Sequence, residues 1–119
     1  MAYALTTTYY WWSWPRYGDG SCDLSAATVT YLIEVIFPRW IPPKDASPDL
    51  VADWERFTLA VAEHEKGHVD IVIANIQSIK NAIKGATCET AFSAAKAVVD
   101  HIDKLNEDYE ITANRGIFP

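Results

Sequence analysis

From Leu50 to Ile83 the apolar residues Leu50, Trp54, Phe57, Val61, Val72, Ile76, Ile79 and Ile83 recur in steps of three and four, apart from one gap. That period is the inward stripe of a long α-helix, and no strand can carry it. The gap lies between Val61 and Val72, and continuing the stripe through it lands on His64, Glu65 and His68. Imidazoles turned inward need hydrogen-bond partners or a metal, because burying them unsatisfied costs about 1 to 3 kcal/mol each. Gly67, inside the same helix, gives up about 1 kcal/mol relative to alanine and leaves room for a close approach.

The helix has clear ends. Ser47 supplies a capping hydroxyl, Pro48 suits the first helical position, and Asp49 faces the positive end of the dipole. At the other end, Lys84-Gly85 predicts a stop with Gly85 in the left-handed cap position. A second helix is expected from about Thr87, with Ala91, Phe92, Ala95, Val98, Val99, Ile102, Leu105 and Tyr109 on its apolar face. The turn between the helices is short, so they should lie antiparallel, with Tyr109 opposite His64 and Leu105 opposite His68.

Ahead of the helices, Thr6 to Trp14 is dense in β-branched and aromatic residues and predicts a strand stopped by Pro15. Tyr17-Gly18-Asp19-Gly20 is turn chemistry, and Ala27 to Phe37 predicts a second strand ending at Pro38. Cys22-Asp23-Leu24-Ser25 is a candidate short third piece. The expected fold is a single α+β domain, with a small N-terminal antiparallel sheet over 1–40 and a Pro-rich connector over 41–48. A long antiparallel helical hairpin over 49–110 follows, its first helix a zincin-like metal helix, and then an irregular tail over 111–119.

At 119 residues the chain can bury about two-thirds of its unfolded surface and hold a core. Its 10 basic residues against 16 acidic ones give a net charge of −6 without a Lys/Arg cluster, which argues against nucleic acid as a partner. No run approaches the ~20 apolar residues of a membrane span, and Met1 to Thr8 carry neither a basic n-region nor a long apolar segment, so no leader is visible. The aromatic residues are expected to pack in the core and sheet rather than to stack on a ligand. Cys22 and Cys88 are in no metal-ligand spacing with each other. They suit either one disulfide closing a long loop or two small buried thiols, depending on the compartment.

His64-Glu65-Lys66-Gly67-His68 is a His-Glu-x-x-His motif. Imidazoles at i and i+4 stand on one helix face about 6 Å apart, which suits two corners of a tetrahedral zinc site. Glu65, between them in sequence, projects beside the metal and can take a proton from water as general base, while zinc lowers that water's pKa and polarises a substrate carbonyl. A catalytic site also needs a third protein ligand and an open position. On the second helix the polar residues at this level are His101, Glu107, Asp108, Tyr109 and Glu110. His101 and Asp108 share the inward line of Leu105, whereas Glu107 points to its flank. Tyr109 suits a hydrogen-bond donor to a developing oxyanion or, equally, a core aromatic. Asp70 lies off the metal face and is expected to be a surface carboxylate.

Trp54-Glu55-Arg56-Phe57, the run from His64 through Val69-Asp70, the spaced Cys22 and Cys88, Phe37-Pro38-Arg39-Trp40 and Tyr109-Glu110 together resemble a bacterial family of predicted secreted zinc-dependent proteases. That family was long catalogued only as a domain of unknown function. The resemblance implies a secreted or periplasmic location, a Cys22–Cys88 disulfide, zinc at His64 and His68, and Glu65 as the base. Family members tend to end with Tyr-Asp followed closely by His-Gly. Here Tyr109-Glu110 is followed by Asn114-Arg115-Gly116, so the histidine position holds Arg115, whose guanidinium cannot bind zinc. Glu110 stands where the family has its acidic residue, which ranks it with Asp108 slightly above His101 as the third ligand.

The leading expectation is a zinc metallopeptidase acting on peptide or protein substrates, with an extended substrate paired along the strand Ala27 to Phe37. The alternative is a catalytically silent zincin-like binding module that has lost its third ligand. A weaker one is a metal-binding structural domain. Oligomeric state is not legible in the sequence.

Overall fold

A computed structural model of the chain describes residues 4–117, with side chains described for 4–113. The architecture is α+β. A two-stranded antiparallel sheet of β1 (Leu5–Ser13) and β2 (Thr28–Ile36) is followed by two long helices, α1 (Pro48–Lys84) and α2 (Ala91–Ile117). The strands pair from Leu5↔Ile36 to Ser13↔Thr28. Tyr10, Trp12, Val29 and Ile33 pack toward the helices, as the period-2 alternation of a strand requires.

The connection between the strands turns at Gly20, whose φ of +88° is a conformation that glycine adopts without strain. Its N–H donates to the Tyr17 carbonyl at 3.1 Å. The expected short third piece is a single 3₁₀ turn, Leu24–Ala26, capped by the Asp23 carboxylate, which accepts from the Ser25 N–H at 3.1 Å. Cys22 at this end of the sheet is bonded to Cys88 just before α2, with their Cα atoms 5.9 Å apart.

Helix α1 starts as its sequence predicts, with the Ser47 hydroxyl accepting from the Leu50 N–H at 3.1 Å. Its end differs from expectation. Gly85 is right-handed (φ −84°, ψ −4°), not left-handed, and its N–H donates to the Asn81 carbonyl at 3.0 Å. The chain therefore leaves the helix without a left-handed reversal. Helix α2 begins at Ala91, slightly later than expected, because Thr87 and Thr90 form a reciprocal cap. The Thr87 N–H donates to Thr90 Oγ1 at 3.0 Å and the Thr90 N–H to Thr87 Oγ1 at 3.2 Å. The helix also runs on to Ile117, through most of the segment expected to be an irregular tail.

The core sits between the sheet and the hairpin and comprises Trp14, Ala27, Val72, Ile79, Ile83, Ala91, Ala95 and Ile102. Small Ala91 and Ala95 on α2 and branched Val72, Ile79 and Ile83 on α1 let the two helices pack closely. Helix α1 has 37 residues and α2 only 27, so the first turns of α1 outrun the hairpin. Leu50 is accordingly exposed despite its place on the stripe. Trp54 is covered instead by Trp40 of the connector, with ring centroids 5.6 Å apart, and by Phe57 at 5.4 Å.

Candidate metal centre

The centre forms where the polar break of α1 meets the second half of α2. His64 and Glu65 are only 8% and 6% exposed, although both are polar. The Nε2 atoms of His64 and His68 converge on a single oxygen of Glu110, Oε2, at 2.7 Å and 2.6 Å. One donor atom from each of His64, His68 and Glu110 falls within 4.8 Å of the others. Burial pushes the Glu110 carboxyl up, but hydrogen bonds and charge from His68 and His64 outweigh it and hold the group below its ordinary value. Glu110 is therefore ionised, with one oxygen facing the Nε2 atoms of both rings.

Each ring has a second nitrogen, and the two are treated differently. His68 Nδ1 lies 2.8 Å from Asn106 Oδ1. His64 Nδ1 is buried without a hydrogen-bond partner among the described residues.

Tyr109 locks the two helices together at this level. Its hydroxyl donates to the His64 backbone carbonyl at 2.8 Å, and its ring stacks on His64 with centroids 5.1 Å apart. The close approach depends on Gly67, because a Cβ there would lie 2.1 Å from the tyrosine oxygen. Burial, and then the carboxylates of Glu110, Glu65, Asp70 and Glu63, push the Tyr109 hydroxyl above its ordinary value and keep it a donor. Glu65 turns to the sheet, where the Thr6 hydroxyl of β1 donates to its Oε2.

The remaining candidates lie elsewhere. Asp108 is exposed and accepts from Lys104 Nζ at 2.7 Å. His101 is exposed as well, one residue before the buried Ile102. Asp70 accepts from Lys66 Nζ at 3.1 Å on the surface. Arg115 belongs to the last turns of α2, and its side chain lies outside the described residues.

Two imidazoles and a carboxylate form one of the ligand sets of catalytic zinc sites, in which the fourth position stays open. The residues fit such an ion. Three donors converge, the carboxylate is ionised, and the Glu110 side chain is 46% exposed, so solvent reaches the centre from that side. A family model described as "Bacterial protein of unknown function (DUF922)" matches residues 1–116. The chain belongs to this family. No curated protein and no solved structure is matched by the chain. The DUF922 match takes in the sheet, both helices and every residue of the centre, which is thus part of the domain rather than an appendage to it.

Sequence reasoning missed Asn106 and Thr6. Asn106 carried a signal, since it stands one turn before Glu110 and one turn after the buried Ile102, on the same helix face. Thr6 carried none, because it lies 59 residues from Glu65 and meets it only through the packing of β1 on α1.

Proposed function

We propose that this DUF922 chain is a zinc-dependent peptidase in which His64, His68 and Glu110 hold the metal and Glu65 is the general base. The observation that carries the reading is the convergence of both Nε2 atoms and one Glu110 oxygen within 4.8 Å. Structural zinc sites are closed by four protein ligands, whereas three donors gather here among the described residues, beside a half-exposed carboxylate. Zinc bound there would polarise a peptide carbonyl and make water a nucleophile at neutral pH.

The chain's own residues supply the rest. Glu65, nearly buried and held at Oε2 by Thr6, takes the proton of the attacking water and returns it to the leaving amine. Tyr109 in this reading holds α2 against α1 through the His64 carbonyl, because serving an oxyanion would require its hydroxyl to leave that bond. Thr6 makes β1, rather than β2, the strand that reaches Glu65, so an extended peptide added along β1 would run toward the centre. A Cys22–Cys88 disulfide suits an oxidising compartment, which supports a secreted or periplasmic location.

Zinc-loaded protein is expected to cleave an unfolded, fluorescently labelled protein, and Glu65→Gln to abolish cleavage while zinc stays bound. Hydrolysis that survives Glu65→Gln would refute the assignment of the base. A wild type that binds zinc and cleaves nothing would favour the silent module, and a gain of activity on Arg115→His would then mark the chain as a degenerate member of its family.

A further inference from the structure

We propose that Asn106 is a positioning residue of the metal centre, presenting His68 with its Nδ1 protonated and its Nε2 directed at the ion. The proposal rests on the metal reading above and concerns how this chain prepares one of the ligands.

His68 Nδ1 and Asn106 Oδ1 are 2.8 Å apart, with the ring only 14% exposed. An amide oxygen accepts only, so this contact requires a proton on Nδ1. A ring anchored in that way offers Nε2 to a metal, and Nε2 already points at the Glu110 carboxylate, 2.6 Å away. The reverse orientation of the amide would place an N–H donor against Nδ1, and the ring would then carry its proton on Nε2, where the metal must bind. The orientation of this side chain therefore selects between a ring ready for metal and one closed to it.

Helix geometry makes the device local to α2. Asn106 and Glu110 are one turn apart on one face, so a single helix delivers both the carboxylate and the group that orients the facing imidazole. His64 has no counterpart, since its Nδ1 is buried without a partner among the described residues. Orientation by a side-chain hydrogen bond thus falls on His68.

The test compares wild type, Asn106→Ala, Asn106→Leu and Asn106→Asp. It measures zinc affinity by competition with a chromophoric chelator, and the thermal midpoint of the metal-free proteins. Asn106→Ala and Asn106→Leu are expected to weaken zinc by about 10- to 100-fold. Asn106→Asp, which keeps an acceptor, should bind zinc as tightly as wild type or more tightly. The metal-free midpoints should shift far less than the affinities do. In the zinc-loaded wild type the His68 Nδ1 proton should appear as a slowly exchanging ring signal by NMR, and it should be lost in Asn106→Ala. Equal affinities in wild type and Asn106→Ala would overturn the proposal while leaving the metal reading intact. So would failure of Asn106→Asp to restore binding, or a weakening matched by the same loss of metal-free stability. A wild type that binds no zinc would overturn both.

Discussion

Gly67 is where the helix–helix contact is tightest. In an isolated helix Gly67→Ala would gain about 1 kcal/mol. Here the new methyl would meet the Tyr109 ring, with Cβ 2.3 Å from Cζ. The variant is therefore expected to lose about 1 to 3 kcal/mol in denaturant unfolding, as overpacked contacts do, and to bind zinc more weakly because Tyr109 and Glu110 are neighbours on α2. Asp103 lies on α2 within reach of the charges of Asp100 and Lys96. Burial, and then the charge of Asp100, raise its carboxyl above the ordinary value of 3.8, with Lys96 partly opposing them. Tyr10, which feels Asp103, is itself pushed up to about 12, by burial first. A folded-state value above the unfolded one means that stability is fully present below the unfolded value and declines as pH rises through the folded one. The ionised form is therefore a net cost at neutral pH. Asp103→Asn should stabilise the protein by ~0.5 kcal/mol or less at neutral pH, given the exposure of the group. The gain should vanish near pH ~3, where wild-type Asp103 is protonated as well. Unfolding curves at the two pH values check both the size and the sign.

The disulfide between Cys22 and Cys88 ties the end of the sheet covalently to the start of α2. With a sequence separation of 66 it closes a long loop, and a chain-entropy account gives it about 4 kcal/mol. Unfolding with and without reductant should show a loss of roughly 2 to 5 kcal/mol. The elements themselves were legible because their signals are local. The stripe from Leu50 to Ile83 fixes α1, Ser47-Pro48-Asp49 fixes its start, and the aromatic runs before Pro15 and Pro38 fix the two strands. The inward turn of His64 and His68 was legible for the same reason, and so was the pairing of Tyr109 with His64. What was not legible depends on the neighbouring element. Gly85 leaves the helix right-handed because the helix–helix turn needs no left-handed residue there. The last turns of α2 run past Glu110 to Ile117 although the segment contains Asn114-Arg115-Gly116, which carries little apolar pattern. Asn106 and Thr6 act across interfaces, and an asparagine or a threonine in sequence does not announce which side chain it will meet.

As a whole the molecule is long and thin, with extents of 71 × 28 × 18 Å and a radius of gyration of 20.0 Å. A compact chain of this length would have about 13 to 14 Å. The difference follows from α1, whose 37 residues span about 55 Å at ~1.5 Å per residue, with a sheet covering only part of that length. Small-angle scattering of the monomer should return a radius near 20 Å, and a value near 14 Å would contradict the extended hairpin. The shape also leaves apolar surface outside the core. Leu5, Tyr9, Trp11, Leu32 and Ile36 are exposed on the strands, and Tyr9 stacks on Trp11 with ring centroids 6.3 Å apart. No helix among the described residues is long and apolar enough to cross a membrane. The candidate metal centre lies within the paired part of the hairpin, where α2 meets α1 through Asn106, Tyr109 and Glu110. The most direct measurement of this account is zinc content after reconstitution and dialysis, for wild type, His68→Ala and Glu110→Ala. Wild type should retain about one zinc per chain, and each variant should retain little. A wild type without stoichiometric zinc, or variants that hold it undiminished, would contradict the assignment of the centre.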